Sequence, residues 1–282
     1  MTPGSGAARG GLLDAIAASV RASLADRRAR VPIEELERVA GARRPDGRRF
    51  RAAIARDDRI NVIAECKRRS PARGVLAAHY APDGIARVYA RAGAAAISVI
   101  TEPTFFDGDL AHLEAVRAAV SLPLLRKDFI LDEYQLVEAR AAGADAVLLI
   151  VAMLDEGTLR RLARAAAGLG LAALAEVHSR RELAAARDAG ADIVGVNSRD
   201  LSTLAVDHRV CDALIEEAPP GCVMVAESGI RGRHDVRRLS ALGYRAFLVG
   251  ERLMTASDPA AALADLAGLG PEDGRAAGAE ES

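Results

Sequence analysis

Four segments of this chain end one element and start the next in the same way. ARAGAAAISVI (90–100), ARAAGADAVLLI (139–150), ARDAGADIVGV (186–196) and SALGYRAFLVG (240–250) each carry a small or charged run to a glycine and then restart as an apolar run. A glycine after a helical run supplies the left-handed residue that stops a helix, and an apolar run with little alternation is a strand covered on both faces. The chain is thereby constrained to alternating helices and buried parallel strands. Extending the pattern predicts eight strands, at 61–65, 95–100, 123–127, 145–150, 171–176, 192–197, 222–227 and 246–250. A helix follows each, at 82–91, 110–120, 132–141, 156–167, 179–188, 208–217, 233–242 and 259–266. Eight such units close most naturally as an α/β fold of the (β/α)8 TIM-barrel type. An open doubly wound sheet is the alternative, but no GxGxxG follows the first strand and six strands would suffice.

Helical spacing at 12–24, 32–39 and 48–56 places helices before the first strand. The expected organisation is a single barrel domain over 11–267, with a helical N-terminal extension at 11–58. The small, Gly-rich residues 1–10 are expected to be disordered, and 268–282 a disordered acidic tail.

Composition removes several function classes. A net charge of −1 and 3% aromatic residues leave neither a basic field nor stacking platforms for nucleic acid. Apolar runs fall short of a membrane span and the N-terminus does not read as a signal peptide, so a cytoplasmic protein is expected. Cys66, Cys211 and Cys222 are odd in number and lack CxxC spacing, which argues against a disulfide framework and a zinc site. Among the five histidines, only His178 falls near a strand end, where it reads as a solvated loop residue.

The basic residues are more telling. Of 38, 36 are arginine; the two lysines are Lys67 and Lys127, both at expected strand ends. Arginine stays protonated, whereas the pKa of a lysine can be lowered into a working range, so lysines surviving such a bias suggest proton chemistry. Chance survival is the competing reading.

Barrel active sites lie at the C-terminal ends of the strands. Glu65 and Lys67 sit two apart at the end of strand one and share a side of the pleat, either as a site or as a plain strand-end ion pair. Thr101 and Glu102 end strand two, Lys127 and Asp128 strand three, Glu176 strand five, Asn197 strand six, and Glu227 and Ser228 strand seven. Leu148 and Ile150, with Phe106 and Phe129, could wall a flat ring or simply pack the core. SGIRG after strand seven and GE after strand eight put Gly229 and Gly250 where backbone amides can approach a phosphate, and Ser70 adds a hydroxyl.

The runs IAECKRRSPARG, TEPTFFDGD, LLRKDFI, DAVLLIVAML, LAEVHS, GVNSRDL, VAESGI and LVGERLM resemble indole-3-glycerol phosphate synthase, the ring-closing enzyme of tryptophan biosynthesis, from about Leu12 to Leu266. The resemblance implies a (β/α)8 barrel with a helical extension and no cofactor or metal. It implies a reaction in which 1-(2-carboxyphenylamino)-1-deoxyribulose 5-phosphate loses carbon dioxide and water and closes to indole-3-glycerol phosphate. Carried over by position, Lys127 is the general acid and Glu176 its partner in dehydration. Lys67 holds the anthranilate carboxylate beside Glu65, while Asn197 and Glu227 bond the sugar hydroxyls and the catalytic groups. Ser70, Ser228, Gly229 and Gly250 match phosphate positions; Phe106, Phe129 and Leu148 match the aromatic pocket, and Arg199 of NSRDL a substrate-binding position. The division of acid and base duties among Lys67, Lys127, Glu65 and Glu176 stays open. A small phosphorylated substrate and a monomer are implied, and docking to other tryptophan-pathway enzymes is not excluded.

Two features depart from the family pattern: Glu251, expected to turn outward from a phosphate, and Asp109 in place of a serine. A lysine acid is expected to have its pKa lowered by a second cation or by burial. Another phosphosugar barrel, or a catalytically silent barrel kept as a scaffold, are the competing readings.

Overall fold

The computed structural model describes residues 11–200 and 203–269. Eight parallel strands, β1 (Asn61–Cys66), β2 (Ala96–Ile100), β3 (Leu124–Lys127), β4 (Ala146–Ile150), β5 (Ala172–Val177), β6 (Ile193–Asn197), β7 (Val223–Glu227) and β8 (Ala246–Val249), close into a barrel in which β1 pairs with both β2 and β8. This is the expected (β/α)8 architecture, with each strand within about one residue of its sequence prediction. A small antiparallel hairpin, Arg69–Ser70 with Gly74–Val75, follows β1.

The strands divide their residues by parity, as the two-residue period of a pleat demands. Val62, Ala64, Val99, Leu124, Val147, Ala175, Val194 and Ala226 face outward into one apolar cluster with the helices. Ile63, Leu125, Leu148, Leu174, Ile193, Val225 and Leu248 face inward into another. Following the inward parity to the strand ends leads from Ile63 to Glu65, from Leu125 to Lys127, from Leu174 to Glu176 and from Val225 to Glu227. The side chains of the candidate site are thus the top layer of the barrel interior.

Helices precede β1: α1 (Leu12–Arg30), α2 (Ile33–Gly41) and α3 (Gly47–Ile54). The first is longer than the apolar spacing predicts. Its extra turns are Ala- and Arg-rich and continue to Val31, which is extended because it precedes Pro32. Ile16 and Val20 of α1 and Phe50 and Ile54 of α3 join the inward cluster, so the extension adds to the core of the barrel. Gly47 is packed so tightly on β5 that a β-carbon there would lie 2.4 Å from the Ala172 nitrogen.

The remaining helices are α4 (Pro82–Arg91), α5 (Pro103–Phe106), α6 (Leu110–Ala119), α7 (Glu133–Ala141), α8 (Glu156–Gly168), α9 (Arg180–Asp188), α10 (Arg209–Ile215), α11 (Arg233–Leu242), α12 (Glu251–Met254) and α13 (Pro259–Ala267). Many start on an Asp or Ser whose side chain accepts from a backbone N–H in the first turn, as at Asp109, Asp132, Asp155, Ser179 and Asp258. Asp109 therefore does the work a serine would do there. Gly268, expected to open the tail, is the left-handed cap of α13, with Leu269 N–H reaching Ala264 O at 2.8 Å. The expectations for 1–10 and 270–282 lie outside the described residues. No described helix is long and apolar enough to cross a membrane.

Candidate active site

The C-terminal ends of the strands enclose a cavity of about 490 Å³ lined by Glu65, Lys67, Ser70, Phe106, Lys127, Phe129, Leu148, Glu176, Asn197, Arg199, Glu227, Ser228, Gly229 and Gly250. These are the catalytic and substrate-binding positions expected from the sequence, whereas Thr101 and His178, also noted there, do not line the cavity. Leu13 and Ile16 of α1 close part of the rim, together with Leu204, Val206 and His208, none of which carries a sequence cue of its own.

The charged groups form two clusters. Lys127 Nζ lies 2.9 Å from Glu176 Oε2 and 3.2 Å from Glu227 Oε2, both carboxylates being all but inaccessible. Across the mouth, Lys67 Nζ is 2.7 Å from Glu65 Oε1. Asn197 Nδ2 donates to Glu176 Oε1 at 3.1 Å, and its own Oδ1 accepts the Arg199 N–H at 3.0 Å.

Burial works against a charged Lys127, but the carboxylates of Glu176, Glu227 and Glu65 outweigh it and hold the ammonium well above the ordinary lysine value. That overturns the expectation of a lowered lysine pKa, because the carboxylates of Glu176, Glu227 and Glu65 act together on the ammonium and outweigh its burial. Burial also penalises the Glu176 carboxylate, yet Lys127 and His178 hold it below the usual range. Glu227 goes the other way: burial raises it, and the negative Glu176 nearby adds to the rise against the pull of Lys127. The surroundings of the two carboxylates beside this one ammonium thus push them apart, Glu227 towards the protonated form and Glu176 towards the ionised form.

Glycines make the room. A β-carbon on Gly250 would lie 2.3 Å from Glu65 Oε1 and 3.1 Å from Lys67 Nζ, so this glycine is required by the ion pair as well as being available to an anion. Gly229 has φ +69°, and Ser228 before it is also left-handed at φ +64°, a conformation braced by the Ser198 hydroxyl donating to the Glu227 and Ser228 carbonyls at 3.1 Å.

Some of the strand-end polar residues serve the frame. Glu102 caps α5, accepting from Thr104, Phe105 and Phe106 N–H groups at 2.9, 2.7 and 3.1 Å, and so aims Phe106 at Phe129, with the ring centres 6.1 Å apart. Thr101 donates to Asp128 at 2.6 Å, and Asp128 is gripped by Arg126 Nη2 at 2.8 Å. Arg126, absent from the sequence reading, is fully buried and also bonds Gln135 O at 2.7 Å and Glu138 at 3.2 Å. Its cue was an arginine inside an otherwise apolar strand, facing away from Lys127. Glu251 does not turn outward: it lines the cavity and takes Arg73 Nε at 2.8 Å and Arg199 Nη2 at 3.6 Å. Nor is His178 a solvated loop residue, since it stands half-buried 3.5 Å from Glu176.

The fold is shared at low identity by solved structures. A thiamine phosphate pyrophosphorylase from Pyrococcus furiosus superposes with a TM-score of 0.57 at 19% identity over 73% of this chain and 93% of that chain. An N-acetylmannosamine-6-phosphate 2-epimerase from Clostridium perfringens does so at 0.54 and 15% over 68% and 86%. Fold and mouth together define a (β/α)8 barrel whose strand ends gather buried, paired lysines and glutamates.

The particular family follows from sequence. The family model described as indole-3-glycerol phosphate synthase matches residues 13–266. Indole-3-glycerol phosphate synthase 1 of Streptomyces coelicolor is 49% identical over 261 residues, covering 92% of this chain and 96% of its own length. The Mycolicibacterium smegmatis enzyme of the same name is 47% identical over 259 residues, covering 92% and 94%. The chain belongs to the indole-3-glycerol phosphate synthase family, the carboxy-lyases of tryptophan biosynthesis.

Proposed function

We propose that this site closes the indole ring of indole-3-glycerol phosphate from 1-(2-carboxyphenylamino)-1-deoxyribulose 5-phosphate, with Lys127, Glu176 and Glu227 carrying the protons. The observation that carries the reading is one ammonium held 2.9 and 3.2 Å from two buried carboxylates, whose surroundings push their pKa values in opposite directions. An acid and a base are thereby available to one substrate from one cluster.

In this reading Lys67 and Arg199 take the substrate carboxylate, and Phe106, Phe129 and Leu148 clamp the ring. The phosphate lies at Ser70, Ser228, Gly229 and Gly250. The ring carbon bearing the carboxylate attacks the ketone carbon, and Lys127 gives a proton to the oxygen. A raised lysine pKa does not prevent this, because the alkoxide being formed is more basic than any amine. Carbon dioxide then leaves, and its bonding pair restores the aromatic ring. For dehydration Glu227 protonates the departing hydroxyl and Glu176 removes the proton from the carbon next to nitrogen. Glu176 returns that proton to Lys127 across 2.9 Å, and one proton from solvent restores Glu227, matching the single proton that decarboxylation consumes.

The same reading takes residues 11–267 as one domain of a cytoplasmic monomer acting on a free small molecule, with no nucleic-acid or membrane partner; docking to other enzymes of the pathway is compatible with it. Indole fluorescence on mixing purified protein with the synthetic substrate tests the activity. Product is expected at a rate proportional to enzyme, and folded protein that forms none overturns the reading.

A further inference from the structure

Lys127 alone does not decide which of its two glutamates bears the proton, since it touches both at similar distances. The difference lies on their far sides. Glu176 Oε1 faces Asn197 Nδ2 at 3.1 Å and His178 Nε2 at 3.5 Å, whereas Glu227 Oε1 is buried without a hydrogen-bond partner among the described residues. Asn197 is neutral. The asymmetric charge is therefore His178, a group the proposed ring closure does not use.

His178 is itself oriented from behind. Glu182 Oε2 accepts the His178 backbone N–H at 2.7 Å and lies 3.2 Å from Nδ1, while Oε1 accepts the Ser179 hydroxyl at 3.0 Å. Ser179 Oγ in turn accepts the Glu182 N–H at 3.3 Å, so Ser179 and Glu182 form a capping box at the start of α9. The orienting carboxylate is fixed by secondary structure and holds Nδ1, and the buried Nε2, which has no hydrogen-bond partner among the described residues, faces Glu176 at 3.5 Å.

We infer that His178 is a positioning residue that breaks the symmetry of the glutamate pair: clamped as an imidazolium by Glu182, it holds the negative charge on Glu176 and leaves the shared proton to Glu227. The inference rests on the proposed acid–base roles of those two residues. An opposite charge about 4 Å away favours the ionised carboxylate. Burial opposes charge on His178, but Glu182, Glu176 and the more distant Glu227 outweigh it and raise its pKa above the ordinary histidine value.

His178→Asn and His178→Gln remove the charge and keep polar bulk. For both, kcat on the acid side of the profile is expected to fall about threefold or more, with KM changed by less than about threefold. The acid limb of the kcat profile, which reports ionisation of Glu176, should move to higher pH by half a unit or more, an effect that a loss of packing alone would not give. Glu182→Gln reaches the same imidazole from a partly exposed position and should move the limb in the same direction by less, which supplies the measurement if the histidine variants do not fold. Glu176→Gln separates the two levels of the argument. If it keeps wild-type turnover, the base assignment itself fails. If it is inactive while the acid limb stays in place in the folded His178 or Glu182 variants, the symmetry-breaking role is overturned and the base assignment stands.

Discussion

A β-carbon on Gly195 would lie 2.0 Å from Glu227 Oε1 and 2.9 Å from Leu174 Cδ2, so the glycine in the middle of β6 is the space into which the Glu227 carboxylate folds. A glycine inside a strand often marks such a close approach. Gly195→Ala should displace Glu227 from Lys127 and lower kcat by roughly ten- to a hundredfold. The strand itself tolerates a methyl, so the stability cost should stay within about 1–3 kcal/mol, the usual range for overpacking. Steady-state kinetics beside a urea titration check both halves; unchanged kcat would mean that Glu227 works equally well from elsewhere.

Gly250 makes the equivalent room for Glu65, and a methyl there would also meet Lys67 Nζ at 3.1 Å. If Lys67 serves to bind the substrate carboxylate, Gly250→Ala should raise KM by about tenfold or more while kcat moves less, the pattern of binding lost equally from ground and transition states. A fall in kcat at constant KM would assign the Glu65–Lys67 pair to chemistry instead.

The buried guanidinium of Arg126 is fully enclosed and holds Asp128 and Glu138, with Arg27 of α1 adding a second contact to Glu138 at 3.1 Å. Removing Arg126 leaves the buried Asp128 carboxylate without its cation and Glu138 with Arg27 alone, so Arg126→Ala should cost about 3–5 kcal/mol. Chemical denaturation measures it. Arg160→Ala, which breaks an exposed helical pair at 3.7 Å, is the control and should leave the midpoint nearly unmoved.

The opposite pKa shifts of the glutamate pair predict a two-sided dependence of stability on pH. Glu176 is held below its ordinary value, so its contribution is present above that value and lost as pH falls through the folded pKa. Glu227 is raised, so its contribution is complete below the ordinary carboxyl value of about 4.3 and is lost as pH rises through neutrality towards the folded pKa. Glu227→Gln cannot ionise and should abolish the second loss while keeping the first. Denaturation midpoints between pH 5 and pH 9, a window on the order of four units wide, should show the variant gaining on wild type as pH rises, by about 1 kcal/mol or more. Parallel curves would place the proton elsewhere.

The repeating helix-to-strand glycines made the barrel legible, because closing eight such units is a topological matter that depends little on side-chain detail. The strand-end positions of Glu65, Lys127, Glu176 and Glu227 were legible for the same reason. What stayed hidden depends on three-dimensional neighbours. The rise in the Lys127 pKa comes from carboxylates on β5 and β7, distant in sequence. Glu251 faces inward because Arg73 and Arg199 meet it there, and His178 is drawn in by Glu176 and by the capping box of α9. Gly195 and Gly47 look like ordinary small residues until the groups that fill their missing side chains are known.

Arginine substitution separates the two lysines by chemistry rather than by charge. A guanidinium keeps the positive charge and binds a carboxylate at least as well, but with a pKa above about 12 it does not readily give up a proton near neutrality. Lys127 lies within 2.9 and 3.2 Å of Glu176 and Glu227, so an arginine there would still have ionic partners and the variant should fold. As a proton donor, though, it should lose turnover by about two to four orders of magnitude. Lys67→Arg, if Lys67 anchors the substrate carboxylate, should raise KM more than it lowers kcat. Steady-state kinetics on both variants, with circular dichroism to confirm folding, decide the matter. Turnover of Lys127→Arg within about threefold of wild type, far short of a general-acid contribution, would make Lys127 an electrostatic anchor and move the acid role to Lys67 or Glu227.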